Sequence, residues 1–366
     1  MKTPPTWTNE ILSHVVELQR GFDLPQKSRR PGPYPVLTSG ETGGFHSEGP
    51  IKGPGVTIGR ATNLGKPKWS DGDFWPHNTT MFVKDFKGHN PRWVFYFFQN
   101  TDLSGYDSGS VQPMLNRNYI AKVPVPVPPR PEQDAIVDVL GALDDKIAAN
   151  AKLSDSADEF IHLAFQEALA TSPTTAVPLL DVFHFNFGEG FKGEHFTDPG
   201  TGRPLIRIRD LKTFDSQVWT TESRPKETLV HPGDVVVGMD AEFRATSWLG
   251  EPGLLNQRVC RVTSPIAGNA FTREALRIPL SNIENYKTGT TVIHLNKKDL
   301  KSESVALPSR EAISTFEDLT EGVYRLRVDL AAENRTLNAT RDALLPPLIS
   351  GEIRVKDAEK MVEGAV

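Results

Sequence analysis

The segment Asn90-Pro91-Arg92-Trp93 falls one position short of the Asn-Pro-Pro-aromatic signature of amino-methyltransferases. Methyl transfer would also need a glycine-rich loop to cradle the donor, and none accompanies it, so the segment reads as a turn before a strand. Gly40-Glu-Thr-Gly-Gly44 is followed by neither a helix nor a Lys-Ser/Thr pair, which argues against a phosphate-cradling nucleotide loop. The nine histidines show no metal-ligand spacing, so no metal site is expected. Cys260 is the single cysteine, which excludes a disulfide or a cysteine zinc cluster within the chain, and it reads as a small core hydrophobe. No triad, paired carboxylates or thiol nucleophile emerges, and the chemistry left is that of recognition.

Recognition of DNA would use cations for guanine edges or phosphates and amides for adenine. In the first half of the chain, such residues in glycine-rich or turn-flanked segments are Lys27, Arg29, Arg30, Arg60, Lys66, Lys68 and Asn78. In the second half they are Lys192, Arg203, Arg207, Arg209, Arg244, Gln257 and Arg258. Ser110 and Gln112, with Thr290 at the place of Ser110, precede the helices and read either as phosphate contacts or as turn residues. Each of these also has an ordinary reading as a solvated surface residue. The net charge of −5 opposes phosphate binding, but the acidity is local. Residues 126–172 hold nine acidic against three basic residues, whereas residues 1–125 hold fourteen basic against ten acidic.

The elements that must position these residues are set by a repeat. Gly109-Ser-Val-Gln-Pro-Met-Leu115-Asn-Arg-Asn-Tyr-Ile120 recurs, at an offset of 180, as Gly289-Thr-Thr-Val-Ile-His-Leu295-Asn-Lys-Lys-Asp-Leu300. Both copies continue through an extended stretch to a proline and then a long helix. The beginnings match more loosely, Arg20-Gly21-Phe22 with Gly190-Phe191. In the first helix apolar residues follow at Ile136, Val139, Leu140, Leu143, Ile147, Leu153, Ala157, Phe160, Ile161, Ala164 and Phe165. In the second, Phe316, Val323, Leu330, Leu337 and Leu344 form a strict heptad, with Leu319 and Leu326 expected at the other core position. Sustained heptads need a partner, and the matching helix of the same chain is the candidate. Asn150 aligns with Asn334 at an offset of 184, a four-residue stutter; the two asparagines either fix register as buried polar residues or lie in solvent. Pro346-Pro347 should end or kink the helix, and the tail after Arg354 should fray.

A chain of 366 residues suits two domains, and 38% hydrophobic and 24% charged residues are near globular averages. Val56-Thr-Ile58, Trp93-Val-Phe-Tyr-Phe-Phe98, Pro204-Leu-Ile-Arg-Ile208 and Asp234-Val-Val-Val237 read as strands among Gly/Pro turns, so each globular part is expected to be α+β. The N-terminus lacks a cleavable apolar core and no run is long enough to span a membrane, so a cytoplasmic location is expected.

Nearly the whole chain resembles the specificity subunits of Type I restriction-modification systems. The resemblance is carried by Pro128-Pro-Arg-Pro-Glu-Gln133 leading into Ile136-Val-Asp-Val-Leu-Gly-Ala-Leu-Asp-Asp-Lys-Ile147, and by the closing Arg341-Asp-Ala-Leu-Leu-Pro-Pro-Leu-Ile-Ser-Gly-Glu-Ile353. Gly59-Arg60, Phe74-Trp75-Pro76 with Thr79-Thr80, and Ile206-Arg-Ile-Arg-Asp-Leu211 add to it. The second copy departs at Pro308-Ser-Arg-Glu-Ala-Ile313, which lacks the Pro-Glu-Gln start. The resemblance implies target recognition domains at 1–128 and 172–308, separated by long helices at 129–171 and 309–353 that form an antiparallel coiled coil, with a polar tail at 354–366. It further implies a chain that is not itself an enzyme. Such a chain reads a bipartite, asymmetric site on double-stranded DNA and docks two modification (methyltransferase) subunits, with restriction subunits joining as translocase and nuclease. No cofactor is expected on this chain; S-adenosylmethionine belongs on the modification subunit. A helix from 131 to 168 would span roughly 57 Å at about 1.5 Å per residue, enough to set two domains a DNA turn apart. A coiled-coil interaction scaffold that binds no DNA is the alternative.

Overall fold

The computed structural model describes residues 6–41, 43–108, 113–287 and 293–363. It divides into two compact units, Met1–Lys146 with Thr336–Val366 and Ile147–Arg335. Each unit contains an α+β domain and a section of both long helices, the central helix Arg130–Thr171 and the distal helix Arg310–Ser350.

The two domains share one topology. In the first, a four-stranded sheet runs Glu17–Arg20, Thr80–Asp85, Gly55–Gly59, Pro67–Ser70; in the second the order is His184–Phe187, Val259–Thr263, Val235–Gly238, Ala245–Ser247. A second sheet, three-stranded in the first domain and five-stranded in the second, contains a parallel pair, Tyr34–Leu37 with Trp75–Pro76 and Arg203–Ile206 with Gly253–Leu255. The first and last strands of each domain pair antiparallel, Thr8–Ile11 with Pro124–Val127 and Thr175–Pro178 with Ser304–Leu307. Prolines are tolerated there because each ribbon has only two strands, leaving backbone donors that no neighbour needs.

One segment departs from its strand reading. Pro91–Asn100 is a helix, capped by Asn90, whose side chain accepts from Arg92 N at 2.9 Å and Trp93 N at 3.3 Å. Pro91 suits the first helical turn, where its missing N–H costs nothing, and the aromatic run that imitated a buried strand packs Trp93, Tyr96, Phe97 and Phe98 into the core. The Asn90 segment is therefore a helix start rather than a turn into a strand.

The central helix begins where Gln133, 1% exposed, accepts from Asn90 N at 2.9 Å and donates to Pro128 O at 2.9 Å. The second copy solves the same problem differently: Ser309 Oγ accepts from Ala312 N at 3.2 Å, and apolar Ile313 is buried one turn into the helix. Pro346 and Pro347 do not end the distal helix, which continues to Ser350. Burial of Leu344, Leu345, Leu348 and Ile349, at about 1.5–3 kcal/mol each, outweighs roughly 3 kcal/mol per interior proline. The tail is helical over Val355–Glu363, anchored by Ala358 at 0% exposure.

The two helices run antiparallel. In the first unit Arg341 pairs with Asp144 at 3.0 Å; in the second, Asn150 donates to Asn334 at 3.0 Å and Arg327 lies 2.8 Å from Asp158. Phe316, Leu330, Leu337 and Leu344 are buried as the heptad requires. Leu319 and Leu326 are not in the core: they are 53% and 38% exposed, as are Leu153 at 47% and Phe160 at 41% on the central helix. The second seam position is instead occupied by Ile313, Thr320, Arg327, Asn334, Arg341 and Leu348, a heptad series that is polar through its middle. Asn150, 3% exposed, also donates to Glu333 Oε2 at 2.6 Å, and half-buried Asn334 donates to Ile147 O at 3.2 Å, so the two amides are matched, with Asn150 in the buried seam.

Candidate nucleic-acid interface

In the first unit the loops that follow several strands are tied together by polar contacts. Arg29 donates to Gly43 O and Lys68 Nζ to Gly40 O, while Asn63 Nδ2 donates to Ser39 O at 2.8 Å and Ser39 Oγ lies 2.7 Å from Thr62 Oγ1. Ser39 N donates to Thr79 Oγ1 at 3.2 Å, and Arg60 N to Thr79 O at 2.9 Å. Burial holds the Lys68 ammonium below the usual lysine range, and burial together with the Arg29 charge lowers His77. Lys27, Arg30 and Lys66 are exposed around this cluster, with no ion pair or side-chain hydrogen bond among the described residues. Arg60 is half-buried, and Asn78 donates its amide to Asp23.

The second unit places equivalent backbone under different side chains. Met239 N donates to Arg258 O at 3.0 Å and Leu295 N to Met239 O at 2.8 Å, as Arg60 N does to Thr79 O and Leu115 N to Arg60 O, both at 2.9 Å. Parallel bridges join Phe22 to His77 and Glu189 to Asn256. The turn His77-Asn78-Thr79 therefore corresponds to Asn256-Gln257-Arg258, and the two amide candidates, Asn78 and Gln257, occupy one fold position. A glycine seats each turn: a Cβ at Gly21 would lie 2.1 Å from His77 O, and one at Gly188 2.1 Å from Asn256 O. Gly21 thus matches Gly188 rather than Gly190, a correction of the looser sequence match.

The remaining candidates separate by partner. Arg203 is held by Glu227 through two bonds of 2.6 and 3.0 Å, and Arg207 by Asp210, itself 1% exposed, with Nε 3.3 Å from Oδ2. These arginines lock loops internally, so they do not face outward as free cations. Arg258 sits 3.5 Å from both Asp240 and His294, Arg244 3.6 Å from Glu242, and Lys192 3.6 Å from Glu194. Arg209 and Gln257 are exposed. Ser110, Gln112 and Thr290 lie outside the described residues. Sequence reasoning missed the braces, His77, Thr79, Asp240 and His294; the run Trp75-Pro-His-Asn-Thr-Thr80 was the one local signal. Cys260 is fully buried, with its thiol pushed up to about 12 by burial, as befits a core residue. No helix is long and apolar enough to cross a membrane among the described residues.

A twice-used α+β domain, each copy presenting one glycine-seated turn and leading into one of two antiparallel helices, defines a tandem-repeat protein. The chain belongs to the Type I restriction modification DNA specificity domain family, whose profile matches residues 4–158 and 173–315. It is 32% identical over 178 residues to the Escherichia coli Type I restriction enzyme EcoBI specificity subunit, covering 47% of this chain and 38% of that one. The Type I restriction enzyme MjaIX specificity subunit of Methanocaldococcus jannaschii is 20% identical over 310 residues, 72% of this chain and 69% of that one. The crystal structure of the Type I restriction-modification S subunit from M. genitalium shares the fold, with a TM-score of 0.65 at 16% identity over 95% of this chain and 98% of that one.

Proposed function

We propose that this chain is the DNA-reading subunit of a Type I restriction-modification complex, each domain reading one half of a bipartite target. The observation that carries this reading is the shared turn with unlike residues, His77-Asn78-Thr79 against Asn256-Gln257-Arg258 on one backbone frame. One scaffold carrying two different sets of donors and acceptors reads two different half-sites, so the target is asymmetric. Loops braced by a rigid sheet suit base contacts, and Lys27, Arg30, Lys66 and Arg209 supply phosphate contacts. Ser110, Gln112 and Thr290 remain candidates for the same role.

Two modification subunits dock on the helices and carry the S-adenosylmethionine, and restriction subunits join the assembly in the cytoplasm. Support for docking comes from apolar side chains left uncovered at heptad spacing, Leu153 with Phe160 and Leu319 with Leu326, beside an acidic central segment. Single-molecule methylation mapping of the source genome with and without the gene tests the reading. Loss of methylation at two short half-sites around a fixed spacer supports it; an assembled complex without salt-dependent DNA binding refutes it in favour of an interaction scaffold.

A further inference from the structure

Within each unit one carboxylate of the central helix accepts a hydrogen bond from the recognition domain and is paired with an arginine of the distal helix. In the first unit Tyr96 Oη donates to Asp144 Oδ2 at 2.6 Å, and Arg341 Nη1 donates to Asp144 Oδ1 at 3.0 Å. Tyr96 is 0% exposed, so its hydroxyl has no water to replace the carboxylate, and Arg92 on the same domain helix adds a 2.9 Å bond to Asp145. In the second unit Asp158 Oδ1 accepts from Arg273 of the domain helix Asn269–Ala275 and lies 2.8 Å from Arg327 Nη1 of the distal helix. Arg273 is in turn held 2.7 Å from Glu274, whose side chain is 1% exposed and bonded to His162 and Arg277.

Asp144 and Asp158 stand two heptads apart in the central helix, as Arg327 and Arg341 do in the distal helix. Apolar packing between a domain and a helix is non-directional and tolerates rocking; a bond from a buried donor to a carboxylate has one direction and length, and both donors, Tyr96 and Arg273, are buried. We propose that Asp144 and Asp158 are positioning residues that fix the angle at which each recognition domain is seated on its section of the helix pair, and so fix the spacer length the chain accepts between half-sites. This rests on the DNA reading above. A half-site moved by one base pair is displaced about 3.4 Å and turned about 35° around the duplex, a change that a rocking domain can follow and a clamped one cannot.

Tyr96→Phe removes only the hydroxyl, leaving the buried ring and the Arg341 bond in place; Arg273→Gln is the counterpart in the second unit. The full chain, assembled with its modification subunits, is assayed for methylation of duplexes that carry the mapped half-sites with the native spacer or one base pair more or less. Each variant should lower the ratio of native-spacer to shifted-spacer rates about tenfold, the scale of one hydrogen bond to a charged group, with unchanged base preference in both half-sites. The double variant Tyr96→Phe/Asp144→Asn should relax the ratio no further than Asp144→Asn alone. An unchanged ratio in both single variants, or a uniform loss on all spacers, overturns the clamp. A genome with no bipartite motif dependent on the gene overturns the DNA reading itself, which the clamp requires.

Discussion

Replacing Lys27, Arg30 and Lys66 by alanine in one chain separates outward-facing cations from those locked inside the fold. All three are exposed and unpaired among the described residues, so their removal breaks no described internal bond. If each neutralises one phosphate, the slope of log affinity against log salt should become shallower by about 0.9 per residue, or about 2.7 in total. At about 0.15 M salt that corresponds to roughly a hundredfold loss of affinity, near 3 kcal/mol. Fluorescence anisotropy of the assembled complex on its target duplex, titrated across about 0.05–0.3 M salt, reads both quantities. Arg203→Ala is the control: both terminal nitrogens of Arg203 bond Glu227, so that variant should weaken the fold and leave the slope alone. A triple variant whose slope stays within about one contact of the parent would refute the placement of these loops at the phosphates.

Asn150→Ala should lower the melting temperature of the second unit by the equivalent of about 1–3 kcal/mol, because Asn334 and Glu333 lose a buried partner. Burial raises the folded-state pKa of Glu317 above its ordinary 4.5, so the folded state binds that proton more tightly and its stability falls as pH rises from there to the raised value. Glu317→Gln, which keeps the acceptor for Gly268 N, should therefore melt higher than the parent at pH 7 by differential scanning calorimetry, the difference closing as pH falls to about 4.5. Gly21→Ala and Gly188→Ala should each displace their recognition turn, abolishing methylation in vivo while circular dichroism shows the helices intact.

The helices and the repeat were legible in the sequence because both are long, periodic signals, and the order of motifs carried the family. What escaped has local physical causes. Trp93–Phe98 is apolar at nearly every position, so periodicity could not distinguish helix from strand, and the cap at Asn90 decided it. Reading the seam from apolar residues alone put Leu319 and Leu326 inside and left Arg327 and Arg341 unassigned. Composition identified cations but not their partners: Glu227 lies 24 residues beyond Arg203, a pairing only the fold creates. Asp210 was the exception, close enough to Arg207 to be visible as a local pair.

The polar seam is costly, and its pattern shows what it secures. Leucine at Thr320, Arg327, Asn334 and Arg341 would bury more apolar area, yet uniform heptads tolerate a slip of seven residues at little penalty. With the side chains present, one register alone sets Arg327 against Asp158, Asn334 against Asn150 and Arg341 against Asp144. A heptad slip in either direction would set Arg327 against Ala151 or Phe165 and Arg341 against Val137 or Ala151, stripping both arginines of their carboxylates. Each stranded charge would cost about 3–5 kcal/mol, comparable to the stability of a whole domain when the two are combined. Register is thus enforced by the penalty on every alternative, more than by the strength of the native pairs. For a chain proposed to measure distance along DNA, a slip of one heptad, about 10 Å of helix, would be an error of about three base pairs.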